Sequence, residues 1–387
     1  MIYIIIGLVV FVSVFYLMIT EKVPQAWATM IGGLIMALIG IINEEDALEA
    51  VSERLEILFL LIGMMIIVHL VSETGVFQWF AIKVAQLVRG EPFRLVVLLA
   101  VVTALCSAFL DNVTTILLMA PVSILLAKQL KLDPFPFVIT EVMSANIGGL
   151  ATLIGDPTQL IIGAEGNLGF NSFLLNTAPM SIIAMIILIA NVYIIYGRHM
   201  VVSNELKARI MELDSSRSLK DQKLLQQAAV IFALVLVGFI LNNFINKGLA
   251  IISLSGAIFL VIIAKRNPKE ILEHVEWETL FFFIGLFMMI RGIENLNIIN
   301  IIGDRIIHLT EGKFDMAVIA VTWLSAAFTS IIGNVANAAT VSKILGVMVP
   351  SFDGLGNTQA FWWALSFGSC LGGNITILSS ATNVVAV

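Results

Sequence analysis

The sequence predicts an all-α polytopic membrane protein with two inverted repeats of about five transmembrane helices, each with a re-entrant hairpin and a broken helix. Three observations predict this class. Of the 387 residues, 59% are hydrophobic and 12% are charged, whereas soluble domains carry about 25% charged residues. Apolar runs long enough to cross a bilayer recur along the chain, and motifs of the first half return in the second. This composition excludes a soluble enzyme, a nucleic-acid-binding protein and a disordered chain.

Membrane helices are predicted wherever an apolar run approaches the about 20 residues that one span requires. These runs cover residues 2–19, 24–42, 56–72, 135–163, 178–197, 228–245, 249–264, 277–292 and 359–387. The run 95–127 would form a helix of about 50 Å, too long for a hydrocarbon core of about 30 Å, and 314–350 poses the same problem. We therefore predict re-entrant hairpins over 93–130 and 314–350, and broken helices over 135–163 and 359–387.

The distribution of charge predicts how the chain is oriented. Most of the 21 Lys and Arg residues fall on the side of the polar linker 198–227, and the acidic loop 43–56 falls on the other side. By the positive-inside rule the linker is cytoplasmic and the N-terminus is outside. We expect an integral protein of a prokaryotic cytoplasmic membrane. Helices 76–88 and 298–309 are amphipathic and are predicted to lie along the membrane surface.

Internal similarity predicts the two repeats, residues 1–197 and 228–387. The segment 107–113 (SAFLDNV) returns as 329–335 (TSIIGNV), and 148–152 (GGLAT) returns as 372–376 (GGNIT). The predicted topology places the two hairpins on opposite sides, so the repeats are inverted, a plan typical of secondary transporters. Nothing follows 359–387 that corresponds to helix 178–197, so we expect the final helix to be missing from this chain.

The candidate binding residues are polar or glycine residues at the two hairpin tips and the two helix breaks. Unwound backbone is allowed at membrane depth only inside protein or around a cavity. A single Asn or Thr there is more often a packing contact, but four clusters in two matched pairs favour a substrate or ion site. The candidates are Asp111, Asn112, Thr114, Thr115, Asn146, Gly148, Gly149, Thr152, Gly155, Asp156, Pro157, Thr158, Asn334, Asn337, Thr340, Gly373, Asn374, Thr376, Ser379, Ser380 and Asn383.

Roles for these candidates follow from their chemistry. Asp111 and Asp156 rank first as proton or cation sites, because acids inside a membrane are costly and functional; Asp156 could instead cap a half-helix. Lys343 could snorkel, approach the second tip or neutralise an acid. Amide oxygens can coordinate Na⁺, and the candidate Na⁺ ligands are Asn112, Asn334 and Asn374. We also predict that the side chains of Asn112 and Asn334 face one another.

At these motifs the chain resembles the arsenite-permease and P protein branch of the ion transporter superfamily, which is related to NhaD-type antiporters and divalent-anion/sodium symporters. The segments that carry the resemblance are 107–115 (SAFLDNVTT), 145–158 (ANIGGLATLIGDPT) and 370–374 (CLGGN). The resemblance implies a site between hairpin tips and broken helices. The second hairpin departs from the family's Asp-Asn-Ile-Pro, because this chain has Gly333-Asn334-Val335-Ala336 there, so one of two symmetric acids is absent.

The sequence therefore predicts a secondary active transporter, not an enzyme, that moves a small solute by alternating access. No cofactor is expected beyond Na⁺ or H⁺ as the coupling ion. Because Lys343 is the only basic residue that could reach the tips, arsenite or antimonite efflux is favoured. A Na⁺-coupled di- or tricarboxylate or other anion symporter, and a Na⁺/H⁺ antiporter, are the alternatives. The expected partners are the solute and the lipid bilayer, with no nucleic acid; a homodimer stays open, as does a cytoplasmic ATPase if the chain is an arsenite pump.

Overall fold

The computed structural model describes residues 2–20, 22–198, 200–212, 214–245 and 247–386, and these residues form α-helices and no strand. This confirms the all-α class; the predicted position of the N-terminus concerns Met1, outside the described residues. The first helices are α1 (Ile2–Ile19), α2 (Gln25–Leu38), α3 (Glu44–Ser52), α4 (Leu55–Glu73), α5 (Val76–Leu87), α6 (Pro92–Ser107), α7 (Asn112–Gln129), α8 (Phe135–Gly149), α9 (Pro157–Glu165) and α10 (Phe170–Val192). The later helices are α11 (Asn204–Met211), α12 (Gln222–Ile240), α13 (Asn242–Ile245), α14 (Leu249–Ile263), α15 (Pro268–Glu273), α16 (Trp277–Asn295), α17 (Ile298–Leu309), α18 (Phe314–Ile332), α19 (Asn334–Met348), α20 (Gln359–Gly372) and α21 (Ala381–Val385).

Several helices are long and apolar enough to cross a membrane, which confirms a polytopic membrane protein. Among the described residues these are Ile2–Ile19, Leu55–Glu73, Asn112–Gln129, Phe170–Gly197, Gln222–Ile240, Phe314–Ile332 and Asn334–Phe352. Helices α16 and α17 add one span if the pair, which bends by 70° at its break, is counted as one.

The chain folds into two compact units. Unit 1 comprises Met1–Ile62, Thr158–Leu168 and Val275–Ser380, and unit 2 comprises Gly63–Pro157, Gly169–His274 and Ala381–Val387. Each unit therefore draws segments from both halves of the sequence. The repeats 1–197 and 228–387, and their inversion, stay predictions.

Unit 1 is built around close crossings of α2 with α16 and of α18 with α20. A Cβ added at Gly285 in α16 would lie 2.8 Å from Cα of Met30 in α2, and one at Gly372 in α20 would lie 2.8 Å from Cα of Ala326 in α18. Glycine permits such approaches because it has no side chain, and small residues are the usual contact between membrane helices. Between α18 and α19 the backbone of Gly333 has φ +89, a conformation that favours glycine.

Unit 2 contains the same kind of crossing between α6 and α8. A Cβ added at Gly148 in α8 would overlap the backbone of Ala104 in α6, with the Ala104 Cα only 2.7 Å away. The part of α4 in this unit meets α14 at another glycine, because a Cβ at Gly63 would lie 2.7 Å from Oγ of Ser253. These contacts bring the end of α8 next to the turn between α6 and α7.

Helix ends differ from the apolar runs at several places. The run predicted from residue 178 belongs to α10, which begins at Phe170 and contains Pro179. The six residues before the run that starts at 228 are already helical, because Asp221 caps α12 by accepting a hydrogen bond from the Leu224 amide at 2.9 Å. Hydropathy alone places neither start, since α10 continues through Pro179 and a cap sets the start of α12 without changing the apolar content.

Candidate functional site

The tip of the first hairpin lies in unit 2, at the start of α7. Asp111 is the N-cap of α7: its two carboxylate oxygens accept hydrogen bonds from the amides of Val113 at 3.1 Å and Thr114 at 2.8 Å. A carboxylate at a helix N-terminus is stabilised by the unpaired amides and by the helix dipole. The structure thus gives a capping role to Asp111; Asp156 directly precedes α9, and the capping role that the sequence considered for it stays a prediction.

Asn112, the first residue of α7, connects the tip to the helix break that follows α8. Its Nδ2 donates to Oδ2 of Asp156 at 2.5 Å, and its Oδ1 accepts a hydrogen bond from the Ser107 hydroxyl. Asn112 is 3% exposed and Asp156 is 2% exposed. A Cβ added at Gly149 would overlap the Asn112 amide, so glycine at this position leaves the space that Asn112 occupies.

The rest of the unit 2 cluster surrounds this contact. The Thr152 hydroxyl donates to the carbonyl of Ala108 in the turn between α6 and α7. Asn146 in the last turns of α8 donates from Nδ2 to Oδ1 of Asn383 in α21 at 3.1 Å. Thr115 is fully buried, and its hydroxyl has no hydrogen-bond partner among the described residues. The remaining candidates of this unit are Thr114 in α7, Gly155 in the break and Pro157, where α9 begins.

The second hairpin tip lies in unit 1, at the start of α19. Asn334, the first residue of α19, accepts a hydrogen bond at Oδ1 from the Val335 amide at 3.0 Å. Asn337 is fully buried, and its Nδ2 donates to Oγ of Ser369 in α20 at 2.8 Å. The Thr340 hydroxyl donates to the Ala336 carbonyl within the helix at 2.9 Å, so the described contacts of Thr340 stay within α19.

After α20 the chain of unit 1 turns back toward the hairpin. The Thr376 hydroxyl donates to the Ser330 carbonyl in α18 at 2.8 Å, and the Ser379 hydroxyl donates to the Gly373 carbonyl at 2.6 Å. Candidates whose side chains are buried in this unit also include Ser380 and Thr158, at 4% and 0% exposure. Asn374 follows the C-cap Gly373, and the backbone amide of Asn374 donates to the Leu371 carbonyl at 3.0 Å.

Within each unit the structure thus joins a hairpin tip to a break or a helix end, through Asn112 in unit 2 and Asn337 in unit 1. Among the described residues no three His, Cys, Asp or Glu side chains form a metal-binding group. Coordination of Na⁺ by Asn112, Asn334 and Asn374, and the approach of Asn112 to Asn334, stay predictions.

Sequence reasoning missed Glu141, the buried acid of α8. Glu141 is 1% exposed, and its Oε1 accepts hydrogen bonds from Oγ of Ser123 at 2.6 Å and Oγ1 of Thr103 at 3.5 Å. A signal was available, because Glu141 lies inside the predicted broken helix 135–163 and acids in such segments are functional by default.

The sequence left three roles open for Lys343, and the structure shows that it pairs with acids. Its Nζ lies 3.2 Å from Oε2 of Glu165 and 3.8 Å from Oε1 of Glu294. The other oxygen of Glu165 pairs with Arg54. All these residues belong to unit 1, so one half-buried carboxylate of this unit is shared by two cations.

Comparison with known proteins identifies the class. Residues 15–368 match the family model described as "CitMHS: Citrate transporter". The chain is 36% identical over 383 residues to the 46 kDa membrane protein of Mycobacterium leprae, covering 98% of this chain and 89% of that protein. It is 33% identical over 383 residues to an uncharacterized transporter of Mycobacterium tuberculosis, with the same coverage.

The human P protein is 32% identical over 453 residues, covering 96% of this chain and 54% of the P protein. This confirms the resemblance to the P protein branch. The apolar helices and these relatives together define an integral membrane transporter. The chain belongs to the CitMHS citrate transporter family.

Proposed function

We propose that the chain is a secondary active transporter of a small carboxylate of the di- or tricarboxylate class, coupled to an ion gradient. The observation that carries this proposal is the match to the citrate transporter family over residues 15–368. Arsenite, which the scarcity of basic residues favoured, has no comparable support among the relatives.

The second hairpin tip supports an anionic substrate. Gly333 at the start of α19 has no side chain and supplies no side-chain cap, whereas Asp111 at the start of α7 supplies a carboxylate. The N-terminus of a helix carries a partial positive charge and attracts anions, and discontinuous helices of transporters direct such ends at anionic groups. A substrate carboxylate near α19 would therefore compensate for the acid that this tip lacks.

Transport into proteoliposomes tests the substrate class. Purified protein is reconstituted, and uptake of radiolabelled citrate, succinate and arsenite is measured under an imposed Na⁺ gradient, an imposed pH gradient and neither. We expect saturable carboxylate uptake that requires one gradient. Arsenite movement without carboxylate movement would contradict the proposal, and current that persists without any coupled counter-ion would indicate a channel. Protein-free liposomes are the control.

We also propose that the linker 198–227 is cytoplasmic. A cysteine introduced at the exposed Ser203 of this linker, in a variant that lacks Cys106 and Cys370, should react with a membrane-impermeant maleimide only after the membrane is opened. Labelling of intact cells at this position would reverse the predicted orientation.

A further inference from the structure

Glu141 in unit 2 is a buried acid to which the proposed function assigns no role. Oε1 of Glu141 accepts hydrogen bonds from the hydroxyls of Ser123 in α7 and Thr103 in α6. Oε2 is buried and has no hydrogen-bond partner among the described residues. The carboxyl group is therefore enclosed by three helices but only half satisfied.

Among the described residues, no charged side chain pairs with Glu141 to stabilise its ionised carboxylate. Its neighbours on α7 and α8 form an apolar cluster of Ile116, Ala120, Val142 and Ala145. Of the titratable groups on the helices packed against α8, Arg94 and Lys128 are exposed and Cys106 is half-buried. None of these makes an ion pair or hydrogen bond with Glu141 in the described part of the chain, and α10 and α21 carry no titratable residue.

The two acids nearest to this region along the chain are occupied elsewhere. Asp111 accepts hydrogen bonds from two backbone amides of α7, and Asp156 accepts one from the side-chain amide of Asn112. Taking a carboxylate out of water without a cation is costly, and protein interiors usually avoid the cost by binding a proton. Glu141 is therefore a group on which a proton can be held and from which it can be released when water enters.

Glu141 is mechanically connected to the candidate site. Helix α8, which carries Glu141, ends in Asn146, Gly148 and Gly149, and helix α7, which carries Ser123, begins at Asn112. An ionised Glu141 would disfavour close packing of α7 against α8, and a protonated Glu141 would favour it. The same two helices thus hold both the carboxyl group and the hairpin tip.

We propose that Glu141 is the proton-binding site through which transport is coupled to the pH gradient. The proton passes from water to a carboxylate oxygen of Glu141 on one side of the membrane and returns to water on the other, and no other bond changes. This proposal rests on the proposed function only in assuming that a solute is transported.

Infrared difference spectroscopy of the purified protein tests the site without a substrate. A pH step should change the C=O stretching band of a protonated carboxylic acid in the wild type. Glu141→Gln should lack this band, and Glu141→Asp should retain a shifted one. An unchanged band in Glu141→Gln would overturn the proposal.

Substrate binding tests the coupling, with citrate as the probe. One proton exchanged per binding event changes the apparent affinity by up to about tenfold per pH unit, so we expect such a slope in the wild type and a slope near zero in Glu141→Gln. Ser123→Ala should keep the slope but shift its midpoint to higher pH, because the carboxylate loses its 2.6 Å donor.

Glu91→Gln is the matched control, because the same chemical change is made in the same unit but outside the predicted spans. Lys207 donates a hydrogen bond to Glu91 at 2.7 Å and lowers the pKa of that carboxyl group, so Glu91 stays ionised in the range of the assay. We expect wild-type slopes from this variant.

The two proposals fail differently. If Glu141→Gln binds citrate with the pH dependence of the wild type, Glu141 is not the coupling site and the transport function stands. If uptake follows only a Na⁺ gradient in both proteins, proton coupling is wrong. If no carboxylate is moved at all, the proposed substrate class fails, and the infrared band still decides whether Glu141 binds a proton.

Discussion

The two hairpin tips have the same plan and different chemistry. In unit 2, α7 begins at Asn112 behind a capping carboxylate, Asp111; in unit 1, α19 begins at Asn334 behind Gly333, whose φ is +89. In the first tip, the carboxylate of Asp111 compensates for the partial positive charge at the N-terminus of α7. The second tip has no acid, so an anion from outside the chain can take that place.

The asparagines of the two tips differ in the same direction. Asn112 is tied to Asp156 at 2.5 Å and to Ser107, which lie in other segments. The carbonyl oxygen of Asn334 accepts from the adjacent amide of Val335. The two asparagines thus differ in their described contacts, and the substitutions below test what the elements around each tip contribute.

Among single substitutions, the largest effect is expected at the crossing that supports each tip. Gly148→Val should destabilise the protein by about 3 kcal/mol, since the new side chain must displace the backbone of Ala104 in a packed interior. Gly372→Val should cost a similar amount, because its Cβ would lie 2.7 Å from the Ala326 carbonyl oxygen. Thermal unfolding in detergent measures both.

Gly346→Ala is the control for these substitutions, because an added Cβ there meets nothing within 4 Å. Alanine in a helix interior is favoured over glycine by about 0.5–1 kcal/mol, so this variant should be as stable as the wild type or more so. A large loss for Gly148→Val with none for Gly372→Val would show that the two crossings are not equivalent.

The asparagines should give the next largest difference. Asn112→Ala removes the side-chain amide that donates to Asp156 and accepts from Ser107, and it should cost about 2 kcal/mol because both buried hydrogen bonds are lost. Asn334→Ala removes the hydrogen bond that the Val335 amide donates, and that contact contributes about 0.5–1 kcal/mol, the range of an ordinary hydrogen bond. Chemical unfolding of the two variants decides, and equal losses would mean that the two tips depend on their asparagines to the same extent.

A smaller effect separates the charge of Asp111 from its capping role. Asp111→Ala should cost about 1 kcal/mol through the lost cap, whereas Asp111→Asn should cost little because Asn caps as well as Asp. Unfolding gives the stability, and proteoliposome uptake gives the coupling. If Asp111 binds the coupling ion, Asp111→Asn will fold normally yet lose the ion dependence of uptake; unchanged dependence would leave Asp111 as a cap alone.

Much of the fold could be predicted from the sequence because it rests on local signals. The apolar runs 2–19 and 277–292 correspond to α1 and α16, and the amphipathic pattern of 298–309 corresponds to α17. The interruption of the run 95–127 can be predicted because the run is too long for one span and Asp111 is its single charged residue. Each of these inferences needs only neighbouring residues.

The contacts of the site could not be predicted in the same way. Asp111 and Asp156 are the same type of residue, and only the fold shows that Asp111 caps α7 and that Asp156 accepts a hydrogen bond from Asn112. Glu165 lies between Arg54 and Lys343, far apart in the sequence, so no spacing rule joins them. Glu141 could have been found from its position in an apolar run, but not its hydroxyl partners.

Among the single substitutions that remove a described contact, the smallest effect is expected for Lys343, and it compares the acids of the two units. Among the described residues, two cations pair with Glu165 of unit 1 and none pairs with Glu141 of unit 2. Lys343→Gln should therefore cost only about 0.5 kcal/mol, since Arg54 still neutralises Glu165. The double variant Arg54→Gln with Lys343→Gln leaves Glu165 without either cation and should cost about 3–5 kcal/mol, far more than twice the single loss. Unfolding of the single and double variants, with Arg54→Gln alone to complete the cycle, measures this difference. Additive losses would mean that the two cations act separately, and a large loss for Lys343→Gln alone would mean that Lys343, not Arg54, is the main counter-charge of Glu165.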